Sequence, residues 1–374
     1  MSNIAPIYDK IIYAIDHIED TVKDKKSQGK KVIGVIPPYI PEELIHAAGM
    51  FPIGCWGAAK PLSAASTYLP SFACSIAAEI TELAAEGYYN ILDGIMISCA
   101  CDTLKCTGQN LTKICKNTEI IFCRYPQHNN TEAGKIFLME ELRSCKSKLE
   151  AISGQEITDK ALYDSIEVYN QNREALMEFV SLTAKSPGIV NAEMRQNILK
   201  ARFYMDREAH TLLVRQINDE LNAIPAFEKE GTNVYLAGII AEPPQLLNIF
   251  DELNINIVGD ELIQGTRQFR TPVPEGIDQL ERLADHWAQI EGCAFTLDIG
   301  KKRAAHIAQQ AKESGAKAVI FLQLMFCDVD EFDYPYIRKA VTDAGLPILN
   351  VEVQQNMISL EQIRTRLQAF CEML

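Results

Sequence analysis

Two apolar stretches, far apart in the chain, end in the same way, and together they restrict the fold more than any other feature. Met96-Ile97-Ser98-Cys99-Ala100 closes on Cys101-Asp102 and passes at once into a helical pattern. Ala318-Val319-Ile320-Phe321-Leu322 runs on to Phe326-Cys327-Asp328, and a second helical pattern follows. A short, continuous apolar run bounded by turn residues reads as a strand buried on both faces, the mark of a parallel sheet. Strands that feed directly into helices argue for an α/β fold.

The rest of the chain extends this pattern. Residues 7 to 23 read as one amphipathic helix with Ile11, Ile12, Ile15, Ile18 and Val22 on one face. Strands are expected over 31–36, 51–56, 91–98 and 119–123, with helices over 42–48, 71–87 and 102–116. From Thr131 to about Asn222 the pattern is helical, with breaks near Gly154 and Ser186-Pro187-Gly188. The alternation then restarts. Strands at 232–240, 254–259, the run ending at Cys327, and 347–351 answer the four of the first half. Glu242-Pro243-Pro244-Gln245-Leu246 opens a helix as Pro41-Glu42-Glu43-Leu44 does. The expectation is an internal repeat: two similar α/β lobes, each a small parallel sheet flanked by helices, with an additional helical segment. The limits are an N-terminal helix at 1–30, a first lobe at 31–150, a helical segment at 151–230 and a second lobe at 231–374.

Composition narrows the partners. At 374 residues the chain is long enough for two cores, and 47% hydrophobic with 23% charged residues is ordinary for a globular protein. A net charge of −14 disfavours nucleic acid and anionic membranes. The first residues show no secretory signal and no apolar run reaches membrane-spanning length, so a cytoplasmic location is expected. Eleven cysteines in a reducing compartment are then not a disulfide framework. Cys55, Cys115, Cys123, Cys145, Cys293 and Cys371 read as small buried hydrophobes.

The remaining cysteines are placed for chemistry. In open parallel sheets ligands bind beyond the carboxyl ends of the strands, where Cys101 and Cys327 fall. Each precedes a helix start, whose partial positive charge and free N–H groups favour a thiolate. Asp102 and Asp328 read as the helix N-caps. Cys74 stands at a third helix start. If the lobes face each other, Cys74, Cys101 and Cys327 can hold three corners of an iron–sulfur cubane in the inter-lobe cleft and leave one iron open. A competing local set, Cys99, Cys101 and Cys106, forms C-x-C-x4-C. Strand geometry makes Cys99 and Cys106 bystanders.

No C-x-x-C pair, H-E-x-x-H, P-loop or G-x-S-x-G elbow occurs. His46 and His128 read as packing or hydrogen-bonding residues. The segment Thr266-Arg267-Gln268-Phe269-Arg270 reads as a surface loop whose arginines pair with acidic neighbours, or else as a phosphate or partner contact.

These residues carry a resemblance. Lys31 to Trp56 with Gly57, Phe72-Ala73-Cys74-Ser75, Cys101-Asp102-Thr103-Leu104, Thr266 to Arg270 and Phe326-Cys327-Asp328 closely resemble the 2-hydroxyacyl-CoA dehydratases, and most of all their beta subunit. The wider family includes benzoyl-CoA reductase subunits and double-cubane cluster proteins. The resemblance implies a [4Fe-4S] cluster on Cys74, Cys101 and Cys327, a homologous alpha subunit with its own cluster, and an ATP-hydrolysing iron–sulfur activator. It implies a lyase that dehydrates an (R)-2-hydroxyacyl-CoA to a 2-enoyl-CoA. There, one electron added to the thioester carbonyl gives a ketyl radical that expels hydroxide, the C3 proton becomes acidic, and the electron is recovered. Such enzymes serve anaerobic amino acid fermentation. Cys99 and Cys106 depart from the family pattern. The alternatives are an ATP-dependent reductase subunit and a metal-free two-lobed binding protein. The sequence assigns no general base and does not name the acyl group.

Overall fold

The computed structural model describes residues 4–185, 187–225 and 230–374. The chain opens with α1 (Ile4–Asp16) and α2 (Ile18–Ser27). The single helix expected over 7–23 is therefore two, broken at His17, whose backbone lies outside the helical region. The first lobe follows: β1 (Val32–Ile36), α3 (Glu42–Ala47), β2 (Phe51–Gly54), α4 (Ser75–Ala85), β3 (Gly94–Ser98), α5 (Asp102–Ile114) and β4 (Glu119–Cys123). Four helices come next, α6 (Glu132–Ser153), α7 (Asp159–Lys185), α8 (Ala192–Ala201) and α9 (Arg207–Asn222). Gly154 stops α6 at φ 72°, a conformation that favours glycine. A further break, between α8 and α9, had no signal strong enough to find it from sequence. The expected break at 186–188 lies partly outside the described residues.

The second lobe is β5 (Thr232–Gly238), α10 (Pro244–Glu252), β6 (Ile255–Leu262), α11 (Gln279–Gln289), α12 (Lys302–Glu313), β7 (Ala318–Leu324), α13 (Asp328–Asp343), β8 (Ile348–Val353) and α14 (Glu361–Glu372). Both sheets are four-stranded and parallel, in the orders β2-β1-β3-β4 and β6-β5-β7-β8. The corresponding strands hold corresponding places, so the two lobes repeat one topology. The inner strands β1, β3 and β7 are buried almost throughout, because helices cover both faces of each sheet.

The second sheet has a cluster of its own on each face, around Leu236 and Ile320 on one and Val319 and Phe321 on the other, and a further cluster crosses between the lobes. This last cluster joins Val35, Ile97 and Ile121 of the first sheet to Ile239, Ile263, Leu283, Trp287 and Leu324 from the second half. This shared packing ties the two sheets together. In each sheet the order in which strands are added turns back between the first and third strands of the lobe. The loops after β1 and β3, and those after β5 and β7, therefore flank a switch point, the crevice where open α/β sheets bind ligands.

Candidate functional site

Cys74, Cys101 and Cys327 are the N-cap residues of α4, α5 and α13. Cys101 and Cys327 each lie three residues beyond their strand, so the crossing loop carries the thiol past the sheet edge. Asp102 and Asp328 are not the caps. They are the first helical residues, and the cap position belongs to the cysteine. The Asp102 side chain is 96% exposed and accepts from Lys105 Nζ at 3.0 Å. At Cys101 the sulfur accepts from the Leu104 amide at 3.5 Å, doing with sulfur what a serine or aspartate cap does with oxygen.

The three sulfurs occupy one neighbourhood. All three side chains are partly buried and pack on the hydrophobic cluster that joins the lobes. Burial pushes the Cys101 thiol up to about 11, the Leu104 amide pulls it down, and the nearby Cys74 pushes it up again. Burial raises Cys327 well above an ordinary thiol, and Asp330, Cys74 and Cys101 add to it. Burial also raises Cys74, against the opposing amides of Ala77 and Ile76. Burial opposes ionisation of each thiol, and a neighbouring thiol adds to this at Cys101 and Cys327. A bound cation inverts that balance and expels the protons.

A tie from the second half stands beside Cys74. Gln355, just after β8, donates its backbone N–H to Ser75 Oγ at 3.2 Å and its side-chain amide to the Trp56 carbonyl at 2.9 Å. Gly57 next to it has φ 88°, and a Cβ there would stand 2.6 Å from Glu79 Cβ.

Cys99 and Cys106 face elsewhere. They line a separate surface pocket with Lys105, Phe122 and Arg124. Cys55, Cys115, Cys123, Cys145 and Cys293 are buried, and Cys371 is partly buried. His46 hydrogen-bonds Ser165 Oγ at 2.9 Å and Glu208 at 3.1 Å. The Thr266–Arg270 segment is not the surface loop expected, although its arginines do pair with an acidic neighbour, Glu261. Arg267 is buried against the buried Glu261 at 2.5 Å and donates to the carbonyls of Gly238 and Glu261 at 2.9 Å. Arg270 bonds the Glu291 and Gly292 carbonyls. These forks brace the second lobe.

Two repeated parallel-sheet lobes, with cysteines capping three of their helices, define a class: two-lobed α/β proteins of duplicated topology. Comparison with known proteins narrows it. Residues 37–374 match the family model described as 2-hydroxyglutaryl-CoA dehydratase, D-component. The chain is 43% identical to the (R)-phenyllactyl-CoA dehydratase beta subunit of Clostridium sporogenes, covering 97% of this chain and 95% of that one. It is 39% identical to the lactoyl-CoA dehydratase beta subunit of Anaerotignum propionicum, covering 100% of each. It is 36% identical to the (R)-2-hydroxyglutaryl-CoA dehydratase beta subunit of Acidaminococcus fermentans, covering 93% and 94%. A benzoyl-CoA reductase subunit of Thauera aromatica is more distant, at 24% over 92% and 90%. The chain belongs to the 2-hydroxyglutaryl-CoA dehydratase D-component family. Among the described residues no helix is long and apolar enough to cross a membrane.

Proposed function

We propose that this chain is the beta subunit of an iron–sulfur 2-hydroxyacyl-CoA dehydratase. With a homologous alpha subunit it removes water from an (R)-2-hydroxyacyl-CoA to give a 2-enoyl-CoA, in the cytoplasm, after one electron from an ATP-hydrolysing activator. The observation that carries this reading is near-full-length identity of 36% to 43% with three dehydratase beta subunits, against 24% with the reductase subunit. The sequence-read domain limits, 31–150 and 231–374 around a helical segment at 151–230, are part of the same proposal.

The donor set fits a [4Fe-4S] cluster. Among the described residues no three His, Cys, Asp or Glu side chains are gathered closely enough to chelate a single ion. A cluster carries its thiolates on separate irons and accepts a wider spacing. Cys74, Cys101 and Cys327 would hold three irons. When bound, the cluster supplies reversible storage of one electron. The chain's own groups do the rest. The amides of Ile76, Ala77, Leu104 and Asp330 direct N–H dipoles at sulfur and favour the thiolate. The apolar packing beneath the three side chains keeps bulk water from that side. Phe72 and Phe326, exposed immediately beside two of the cysteines, offer the partner subunit an apolar face.

The test is anaerobic co-expression with the alpha subunit, followed by assay of several hydroxyacyl thioesters with activator and ATP. Enoyl-CoA formation with no net consumption of electrons supports the proposal. Stoichiometric electron use overturns it in favour of a reductase, and purified protein lacking iron and sulfide overturns the cluster.

A further inference from the structure

A small cavity of about 30 Å3 lies at the carboxyl end of the first sheet. Its wall includes Glu42 and Glu43 of α3, Arg173 of α7, His286 of α11, and Arg202 and Gln268 from two connecting segments. The charges in it do not cancel. Glu43 pairs with Arg173, and Glu42 pairs with the adjacent Arg207; all four side chains are buried. His286 is neutral: burial and the Arg173 charge hold it at about 4. Arg202 remains. It is 4% exposed, it forms no ion pair among the described residues, and its Nε and Nη1 have no hydrogen-bond partner. Its guanidinium carbon lies 4.8 Å from the Phe203 ring centroid, and Glu42, already paired with Arg207, attracts it from a distance beyond an ion pair. Burial and the Arg207 charge push the guanidinium down to about 9, which still leaves it charged at neutral pH. A second group in the wall is also unmatched: Gln268 Oε1 is buried without a partner. Oxygen and nitrogen of a side-chain amide exchange places on a half-turn, so the same residue can present N–H2 to the cavity.

A buried, unpaired guanidinium beside a reversible amide and empty volume is a site for a negative charge. We propose that the cavity binds a small monovalent anion, a halide or a short carboxylate, on the Nε–H and Nη1–H of Arg202, with the Gln268 amide turned to donate. The anion neutralises the one unmatched charge where the helical segment, α3 and α11 meet. It locks the helical segment onto the first lobe. The cavity is walled by side chains from all of these elements, so the occupant is a small ion and not an acyl thioester. The inference does not depend on the cluster or on the dehydratase reading.

The experiment uses the full chain with its partner subunit, purified anaerobically in gluconate buffer, whose anion is too bulky to enter. Chloride and formate are titrated separately at constant ionic strength while the unfolding midpoint is followed, and crystals are grown in bromide. The expected results are a midpoint that rises by several degrees and saturates, and an anomalous bromide peak within hydrogen-bond reach of Arg202. Stronger response to chloride assigns a halide, and stronger response to formate assigns a carboxylate; either supports the site. Arg202→Met should lose the response, and in gluconate it should match or exceed the wild-type midpoint, because it removes an unpaired charge. Should Arg202→Met fail to fold, Arg202→Lys and the wild-type bromide map carry the decision. A map without bromide at Arg202, a midpoint flat toward both anions, or a response unchanged in the variants overturns the proposal.

Discussion

Sulfur takes the cap position at three helices, and that single substitution of role separates this site from an ordinary α/β loop. A serine or aspartate there would satisfy the same amides without binding soft metal. Replacing Cys74, Cys101 or Cys327 with alanine should therefore remove iron and sulfide together while the far-UV spectrum persists. Cys371→Ala, on α14, should retain full iron. Quantitation after anaerobic purification checks both. The same helix that begins at Cys74 carries two carboxylates with opposite fates. Burial alone would raise Glu82, but the amides of Ala64 and Ala65 and both donors of Ser63 overcome it and hold the group at about 2. Glu79, one turn away, is 0% exposed; burial lifts it to about 7 against the opposing pull of the Lys60 amide. A carboxyl whose folded value is raised contributes stability below its unfolded value and loses it as pH climbs through the folded one. Glu79→Gln should thus resemble wild type near pH 4 and become relatively more stable as pH rises toward and past 7. Urea midpoints of the two proteins across that range test this; parallel curves would contradict it.

Elements in this protein are fixed by close backbone approach as much as by apolar pattern. Gly238 ends β5 at φ 138°, and a Cβ there would fall 2.2 Å from the Leu322 carbonyl oxygen of β7. Gly238→Ala should part these two strands at the end nearest the cleft. The expected cost is at least about 2 kcal/mol, since the residue meets both a forbidden conformation and a backbone clash. Denaturant unfolding measures it, and faster amide exchange confined to β5 and β7 would locate it. By contrast, Gly29, Gly154, Gly315 and Gly345 meet nothing on gaining a Cβ, so their role is conformational alone.

For the molecule as a whole, the decisive fact is that one hydrophobic cluster runs across both lobes, and the first lobe's core is completed by residues of the second half. The cluster from Val35 to Leu324 makes the inter-lobe geometry a property of packing rather than of a hinge. Gln355 is the polar counterpart of that packing. Gln355→Ala removes the side-chain bond to the Trp56 carbonyl and leaves a buried acceptor unmatched, at a cost of about 1–3 kcal/mol. The expected outcome is a folded protein that gives up iron to a chelator faster than wild type. Equal release rates would show that Gln355 does not hold the two sides of the site together.

The order of elements, both parallel sheets and their repetition were legible in the chain, because burial on two faces leaves continuous apolar runs and each run is met by a helix signal. The helix starts at Cys74, Cys101 and Cys327 were legible too, the last two because each follows the end of an apolar strand. Other features were decided only when distant segments packed. Sequence made Asp102 and Asp328 the caps, since aspartate is the commoner cap, yet the loops overshoot the strands and deliver sulfur there instead. Sequence put Arg267 on the surface, since charge prefers water, yet Glu261 lies beside it to pay for its burial. Arg202 carried no signal at all. Whether an arginine finds a carboxylate depends on residues far from it along the chain, and a one-dimensional pattern holds the period of a helix or strand but not the distance between two side chains on different ones.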